Sequence, residues 1–204
     1  MCQDVFEIVQ GMDLEDIEMQ MALQCAPVIT GLKIANLLIV QNDSFPVAEQ
    51  LIAETVLSCY VVSVTKQRTA VLIYDADRLQ EYLSLEAVKD SMKQFGYTDM
   101  ELTVVLPKFR ERYQRYMRTA ESFPHEMGLL LGYPVEDVKG FIDNRGENAL
   151  LTGYWKVYRN PVHKKELFHQ FECARDHLIQ MVHRGVSMAD LIEKYRTNSL
   201  RIAG

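Results

Sequence analysis

Residues 60–74 read YVVSVTKQRTAVLIY and carry the clearest β signal in the chain. Two runs rich in β-branched and aromatic residues, 60–65 and 69–74, flank the polar tripeptide Lys66-Gln67-Arg68. This pattern predicts an antiparallel hairpin with a solvated tip. Just upstream, the aliphatic run at 35–40 predicts a buried strand.

Segments with helical periodicity surround this hairpin. Apolar spacing, cap residues and prolines predict about eight helices, two of which end at Gly96 and Gly185. A final short helix begins at the capping box formed by Ser187 and Asp190. The approximate ranges of the other helices are 14–24, 46–57, 76–83, 84–96, 108–118, 124–131, 134–142 and 161–184. The first is expected to stop before Pro27, and a fourth strand is predicted at 150–158. We therefore expect an α+β or α/β fold, a single layered domain over 1–204, because no linker or repeat interrupts the chain.

Composition narrows the class of protein. The chain has 204 residues, is 48% hydrophobic and carries a net charge of −6, which is typical of a globular domain that needs no disulfide or structural metal. The acidic N-terminus does not resemble a signal peptide, and no apolar run is long enough to span a membrane. The four separated cysteines predict free thiols in the cytoplasm.

One segment is strongly basic, in contrast to the net negative charge of the whole chain. Helix 108–118 combines five cations with Phe109, Tyr113 and Tyr116, whose shared face is expected to pack inward. A solvated basic face is the ordinary interpretation, and docking of an acidic protein partner is the functional one. Nucleic-acid binding is not favoured because the aromatic rings are not placed for stacking on bases.

His125-Glu126 is the most suggestive pair for chemistry. An imidazole and a carboxylate near a helix start could transfer protons or bind a ligand. The same two residues also suit the first helical turn, where a carboxylate is favourable. The pair is not part of the two-histidine zinc motif, because position 129 is leucine, and no metal site is predicted.

The alternation in the strand at 150–158 predicts a second group of candidates. Tyr154, Lys156 and Tyr158 should share one face, where the rings could stack on a planar ligand and the ammonium could pair with an anion. Trp155 would then lie on the opposite, core-facing side. Lys33, among apolar neighbours, could meet an anionic group or simply extend to the surface.

Three segments are distinctive: 121–146 reads ESFPHEMGLLLGYPVEDVKGFIDNRG, 153–158 reads GYWKVY, and Cys25-Ala26-Pro27 is followed by Gly31 and Lys33. In these segments the chain resembles an uncharacterised bacterial family, catalogued as domain of unknown function 3793. The resemblance spans most of the chain and implies no activity. Relatives often have a cysteine just before the GYWKVY motif, whereas this chain has Ala149, Leu150 and Leu151 there, which argues against a thiol or metal site.

The sequence favours a protein that binds a small anionic or planar ligand between the helix near His125 and the strand at 154–158. Lys156 and Lys33 would supply charge, Tyr154 and Tyr158 stacking, and His125 with Glu126 hydrogen bonds. An enzyme that uses His125 and Glu126 as acid and base, and an interaction module that docks through helix 108–118, remain alternatives. The cofactor and the oligomeric state are left undefined.

Overall fold

The computed structural model describes residues 3–13, 16–120 and 122–202. It divides into two compact units. The first is Met1–Asp75 together with Gln170–Gly204, and the second is Ala76–His169. This grouping does not test the single domain expected over 1–204, which stays a prediction.

The fold is α+β, as predicted. The strands of the described residues are β1 Ala35–Gln41, β2 Ser58–Val64, β3 Arg68–Tyr74, β4 Leu151–Thr152 and β5 Lys156–Val157. The helices of the same residues are α1 Gln3–Gly11, α2 Ile17–Ile29, α3 Phe45–Ala53, α4 Ala76–Ser84, α5 Glu86–Gln94, α6 Leu102–Thr119, α7 Met127–Leu130, α8 Val135–Asp143, α9 Pro161–His183 and α10 Met188–Ile202. Within these described ranges, no helix combines the length and apolarity needed to cross a membrane.

The first unit is built on a three-stranded antiparallel sheet in the order β1-β3-β2. The hairpin predicted from residues 60–74 is confirmed as β2 and β3, with a register shift between Val61 and Ser63. β3 takes the centre because six consecutive residues after Arg68 are buried, which suits a strand covered on both faces. On the β1 edge, the Gln24 side chain donates to the Ile39 carbonyl and accepts from the Ile39 amide.

The helix predicted to stop before Pro27 continues to Ile29, so that boundary is wrong. An interior proline removes one N–H donor and crowds the carbonyl one turn earlier, but the chain around it, from Cys25 to Ile29, is fully or almost fully buried, which offsets this cost. The Thr30 amide then closes the helix by donating to the Ala26 carbonyl at 3.0 Å. At the other end Asp16 caps the Met19 amide, and the predicted start at Leu14 lies outside the described residues.

The second unit holds helices α4 to α8, the start of α9 and a minimal hairpin. The continuous strand predicted at 150–158 is wrong: β4 and β5 are two residues each, and 153–155 form the bend between them. The bend is tight because the Gly153 amide donates to the Trp155 carbonyl. It also packs closely on α9, since a Cβ on Gly153 would lie 2.4 Å from the Phe168 ring.

The central strand should dominate the stability of the first unit. Ile73 on β3 is 1% exposed, whereas Ile39 on the edge strand β1 is 38% exposed. Ile73→Ala is expected to lower the free energy of unfolding by about 2–5 kcal/mol, because it leaves a cavity. The matched change Ile39→Ala should cost about 1 kcal/mol or less. Chemical denaturation of both variants checks this, and equal losses would contradict it.

Candidate functional site

The second unit contains a cleft of about 370 Å³ with a largely apolar lining, which we call the His125 cleft. Its lining comes from the segment that leads into α7, from α8 and from the β4–β5 bend. The lining residues are Phe123, His125, Met127, Gly128, Leu131, Tyr133, Asp137, Val138, Phe141, Trp155 and Lys156. Clefts of roughly 300–1,000 Å³ hold small-molecule ligands, so this one suits a ligand at the small end of that range.

Aromatic rings form much of the surface of the cleft. The His125 ring lies between Phe123 and Phe141, with ring centroids 5.5 Å and 5.7 Å away. Tyr133 stacks on Trp155 at 4.8 Å with an interplanar angle of 25°. Rings in such offset and tilted contacts present both faces and edges, which are the surfaces that a planar ligand contacts.

His125 lies in the turn that leads into α7. Helix α7 begins only at Met127, so the prediction that residues 124–131 form one helix is wrong at its N-terminal end. The turn closes when the Gly128 amide donates to the His125 carbonyl at 3.0 Å. Burial lowers the pKa of His125 below its ordinary value of 6.5, and the neighbouring Glu126 carboxylate opposes this only in part. The lowered pKa favours the neutral imidazole, which has one donor and one acceptor nitrogen.

Lys156 is the positively charged residue among those that line the cleft. Its side chain is exposed, its ammonium donates to the Gly146 carbonyl at 2.6 Å, and it lies 6.0 Å from the centroid of the Phe141 ring. Because both groups flank Phe141, the Lys156 ammonium and the His125 ring lie within about 12 Å of each other. The structure thus brings together two candidates that are 31 positions apart in the sequence.

Asp137 is the residue that the sequence did not reveal. It is 2% exposed, and it receives the Trp155 indole N–H on Oδ2 and the Tyr158 and Arg159 amides on Oδ1. In the sequence it stands in the first turn of a helix, where an acidic residue is ordinary, so nothing marks it as buried. Its bonds hold the β4–β5 hairpin against α8 and fix the Trp155 ring.

Glu126 does not join His125 in the cleft. Its carboxylate is fully buried and accepts from Arg112 Nε at 2.5 Å and from the Tyr97 hydroxyl at 3.2 Å. A buried carboxylate needs such partners, and these two occupy it. The acid–base pair that the sequence suggested is therefore divided, with the imidazole lining the cleft and the carboxylate in a separate buried network.

Tyr154 and Tyr158 do not line the cleft. The Tyr154 ring packs 5.5 Å from Phe168, and Tyr158 lies so close to α8 that a Cβ on Gly140 would be 2.5 Å from it. The bend at 153–155 breaks the alternation on which the predicted face depended. Trp155 is buried at 8% exposure, as expected for a core-facing residue, and its ring also lines the cleft beside Lys156.

Lys33 belongs to the other unit and is not among the residues that line the cleft. It is 7% exposed, and burial lowers its pKa to about 8, with the Cys25 thiol as the neighbouring titratable group. Burial raises the pKa of Cys25 to about 12, so this thiol stays protonated and is a poor nucleophile.

The basic segment 108–118 lies in α6, and most of its cations have partners within the chain. Besides the bond from Arg112 to Glu126, Arg115 pairs with Glu111 at 2.7 Å, and Lys108 donates to the Gly96 carbonyl and lies 4.8 Å above the Tyr97 ring. Phe109 is buried, as the inward-facing aromatic stripe predicted.

These features define a class: an α+β protein whose second unit carries a small aromatic cleft with a neutral imidazole and one lysine. Comparison with protein families matches residues 21–192 to the family described as Protein of unknown function (DUF3793). The chain belongs to this family, which confirms the resemblance noted in its sequence. No curated protein and no solved structure matches the chain.

The role of Asp137 can be measured directly. Asp137→Asn replaces one acceptor oxygen by an amide that faces N–H donors, so we expect a loss of about 2–4 kcal/mol in unfolding free energy. Trp155, the single tryptophan, should also move to a more hydrated emission spectrum. Asp143→Asn is the matched control, because Asp143 is exposed at the end of the same helix. Equal stability and unchanged emission in both variants would contradict this role.

The lowered pKa of His125 makes a second prediction. Between the pKa of the folded protein and the ordinary value of 6.5, the unfolded chain binds more protons at this site, so stability falls as the pH drops below about 6.5. His125→Gln should make this acid-side decline shallower, and His163→Gln, at an exposed site outside the cleft, should leave it unchanged. Urea unfolding at a series of pH values tests this prediction. A steeper loss of unfolding free energy with falling pH in His125→Gln than in the unmodified chain would contradict it.

Proposed function

We propose that this protein binds a small planar molecule with an anionic group in the His125 cleft. The observation that carries the proposal is the presence of His125 and Lys156 in one aromatic-lined cleft. Apolar walls with few polar groups are the usual composition of ligand pockets, in which the rings supply contact area and the polar groups set orientation.

The charges around the cleft favour an anion over a cation. Lys156 is the lining residue with a formal positive charge, and Asp137, the lining residue with a negative one, already accepts three hydrogen bonds. An incoming cation would thus meet an exposed ammonium and no available carboxylate. An anion would meet the ammonium directly, an attraction that solvent weakens but does not reverse.

Binding is favoured over the two alternatives by what the candidate residues contact. Glu126 is occupied by Arg112 and Tyr97, so an acid–base reaction that needs the His125-Glu126 pair lacks its second member in the cleft. Arg112 and Arg115 are occupied by Glu126 and Glu111, which reduces the charge that α6 offers to an acidic partner or to nucleic acid. The proposal includes a cytoplasmic location, which is supported by free thiols at Cys25, Cys59 and Cys173.

Energy transfer from Trp155 to a bound dye tests the proposal. The probe is 1-anilinonaphthalene-8-sulfonate, an anionic dye with a planar naphthalene ring system, and the single tryptophan lies in the cleft. We expect saturable 1:1 binding with energy transfer from Trp155. Lys156→Gln should weaken it about fivefold, equivalent to about 1 kcal/mol.

Lys139→Gln is the matched control, since Lys139 is exposed on α8 and does not line the cleft. The melting temperature of each variant is measured alongside, so that a folding defect is not taken for a binding defect. Dye binding without energy transfer, or equal weakening by Lys139→Gln and Lys156→Gln, would refute binding in this cleft.

A further inference from the structure

The polar atoms of the His125 cleft restrict its ligand further. Resting on the function proposed above, we infer that the ligand is a small aromatic monocarboxylate and not a phosphate ester or a nucleotide. Its carboxylate meets Lys156, and its ring lies among His125, Phe141 and Trp155.

The first step is the number of donors. An ammonium has three N–H donors, and one of those on Lys156 is used by the Gly146 carbonyl. The indole N–H of Trp155 is committed to Asp137. The two remaining ammonium donors match the two oxygens of a carboxylate, whose charge a single lysine balances.

The second step concerns the backbone amides, which are the groups that usually cradle phosphates. The Met127 amide donates to the Pro124 carbonyl at 3.0 Å, and the Gly128 amide to the His125 carbonyl at 3.0 Å. On α8, the Asp137 and Val138 amides both donate to the Pro134 carbonyl. These lining amides are occupied, so the Lys156 ammonium is the one cationic group among the lining residues that could balance the two charges of a phosphate dianion.

The third step is the shape of the apolar part. A cleft of about 370 Å³ is adequate for one or two fused rings. The stacked pair of Tyr133 and Trp155 and the tilted contact of His125 with Phe141 offer ring surfaces to a flat ligand. Because the Lys156 ammonium is exposed and the Trp155 ring is 8% exposed, the charged end points to solvent and the ring points inward.

The inference is tested with three ligands of the same ring system: 2-naphthoate, its neutral isostere 2-naphthamide, and 2-naphthyl phosphate. Calorimetric titration is expected to give binding of 2-naphthoate about tenfold tighter than that of 2-naphthamide. The phosphate should bind no more tightly than the carboxylate. In Lys156→Gln the preference for 2-naphthoate should disappear while the affinity for 2-naphthamide stays the same, and Lys139→Gln should behave as the unmodified chain.

The outcomes separate this inference from the function on which it rests. Equal binding of 2-naphthoate and 2-naphthamide, or tighter binding of the phosphate, would overturn the monocarboxylate while leaving a planar ligand in the cleft. If the sulfonate dye binds with energy transfer from Trp155 but none of the three naphthalenes binds, the monocarboxylate inference fails alone. If neither the dye nor the naphthalenes bind, the proposed function fails with it.

Discussion

The hydrogen bonds of the Asp137 carboxylate are the interaction on which the second unit depends. One buried side chain accepts the indole N–H of Trp155 and the amides of Tyr158 and Arg159, which ties α8 to the short β4–β5 hairpin. Two strands of two residues each cannot hold their place through their own ladder. The carboxylate supplies what the ladder lacks, and the orientation of the Trp155 ring follows from it. The shape of the cleft therefore depends in part on Asp137, whose carboxylate already accepts three hydrogen bonds.

A second buried carboxylate follows the same principle. Glu126 is fully buried beside Arg112 and Tyr97. Of the pair that the sequence marked most clearly, His125 is therefore the functional candidate and Glu126 has a structural role. Burial of a carboxylate without partners would be destabilising. The cation that pairs with Glu126 is Arg112, which belongs to the basic segment of α6. The same ion pair argues against both alternatives, since it occupies the proposed acid and one of the arginines proposed for docking. What remains in the cleft is a neutral ring and one ammonium.

Local signals in the sequence were sufficient for the elements that depend on local physics. The 60–74 hairpin, the helix ends at Gly96 and Gly185, and the Ser187-Asp190 capping box all appear where their residues predicted them, the last with the Asp190 amide donating to Ser187 Oγ. Prediction was wrong where tertiary contacts decide. Pro27 is carried inside α2 by burial of the residues around it, and the bend at 153–155 is held by Asp137 and Phe168. No periodicity encodes a bond between residues 18 positions apart.

The same distinction explains why the candidate site was half predicted. His125 and Lys156 were identified by residue type, because an imidazole and a lysine are informative wherever they stand. Trp155 was assigned to the core, where it is indeed buried, but the sequence did not predict that its ring also lines the cleft beside Lys156. The role of Asp137 could not be predicted from the sequence, because it depends on hydrogen bonds to residues 155, 158 and 159 that only the folded chain brings together. A site of this composition has apolar rings for contact, one cation for orientation and no free carboxylate among its lining residues, and that combination favours holding an anion over transferring its protons.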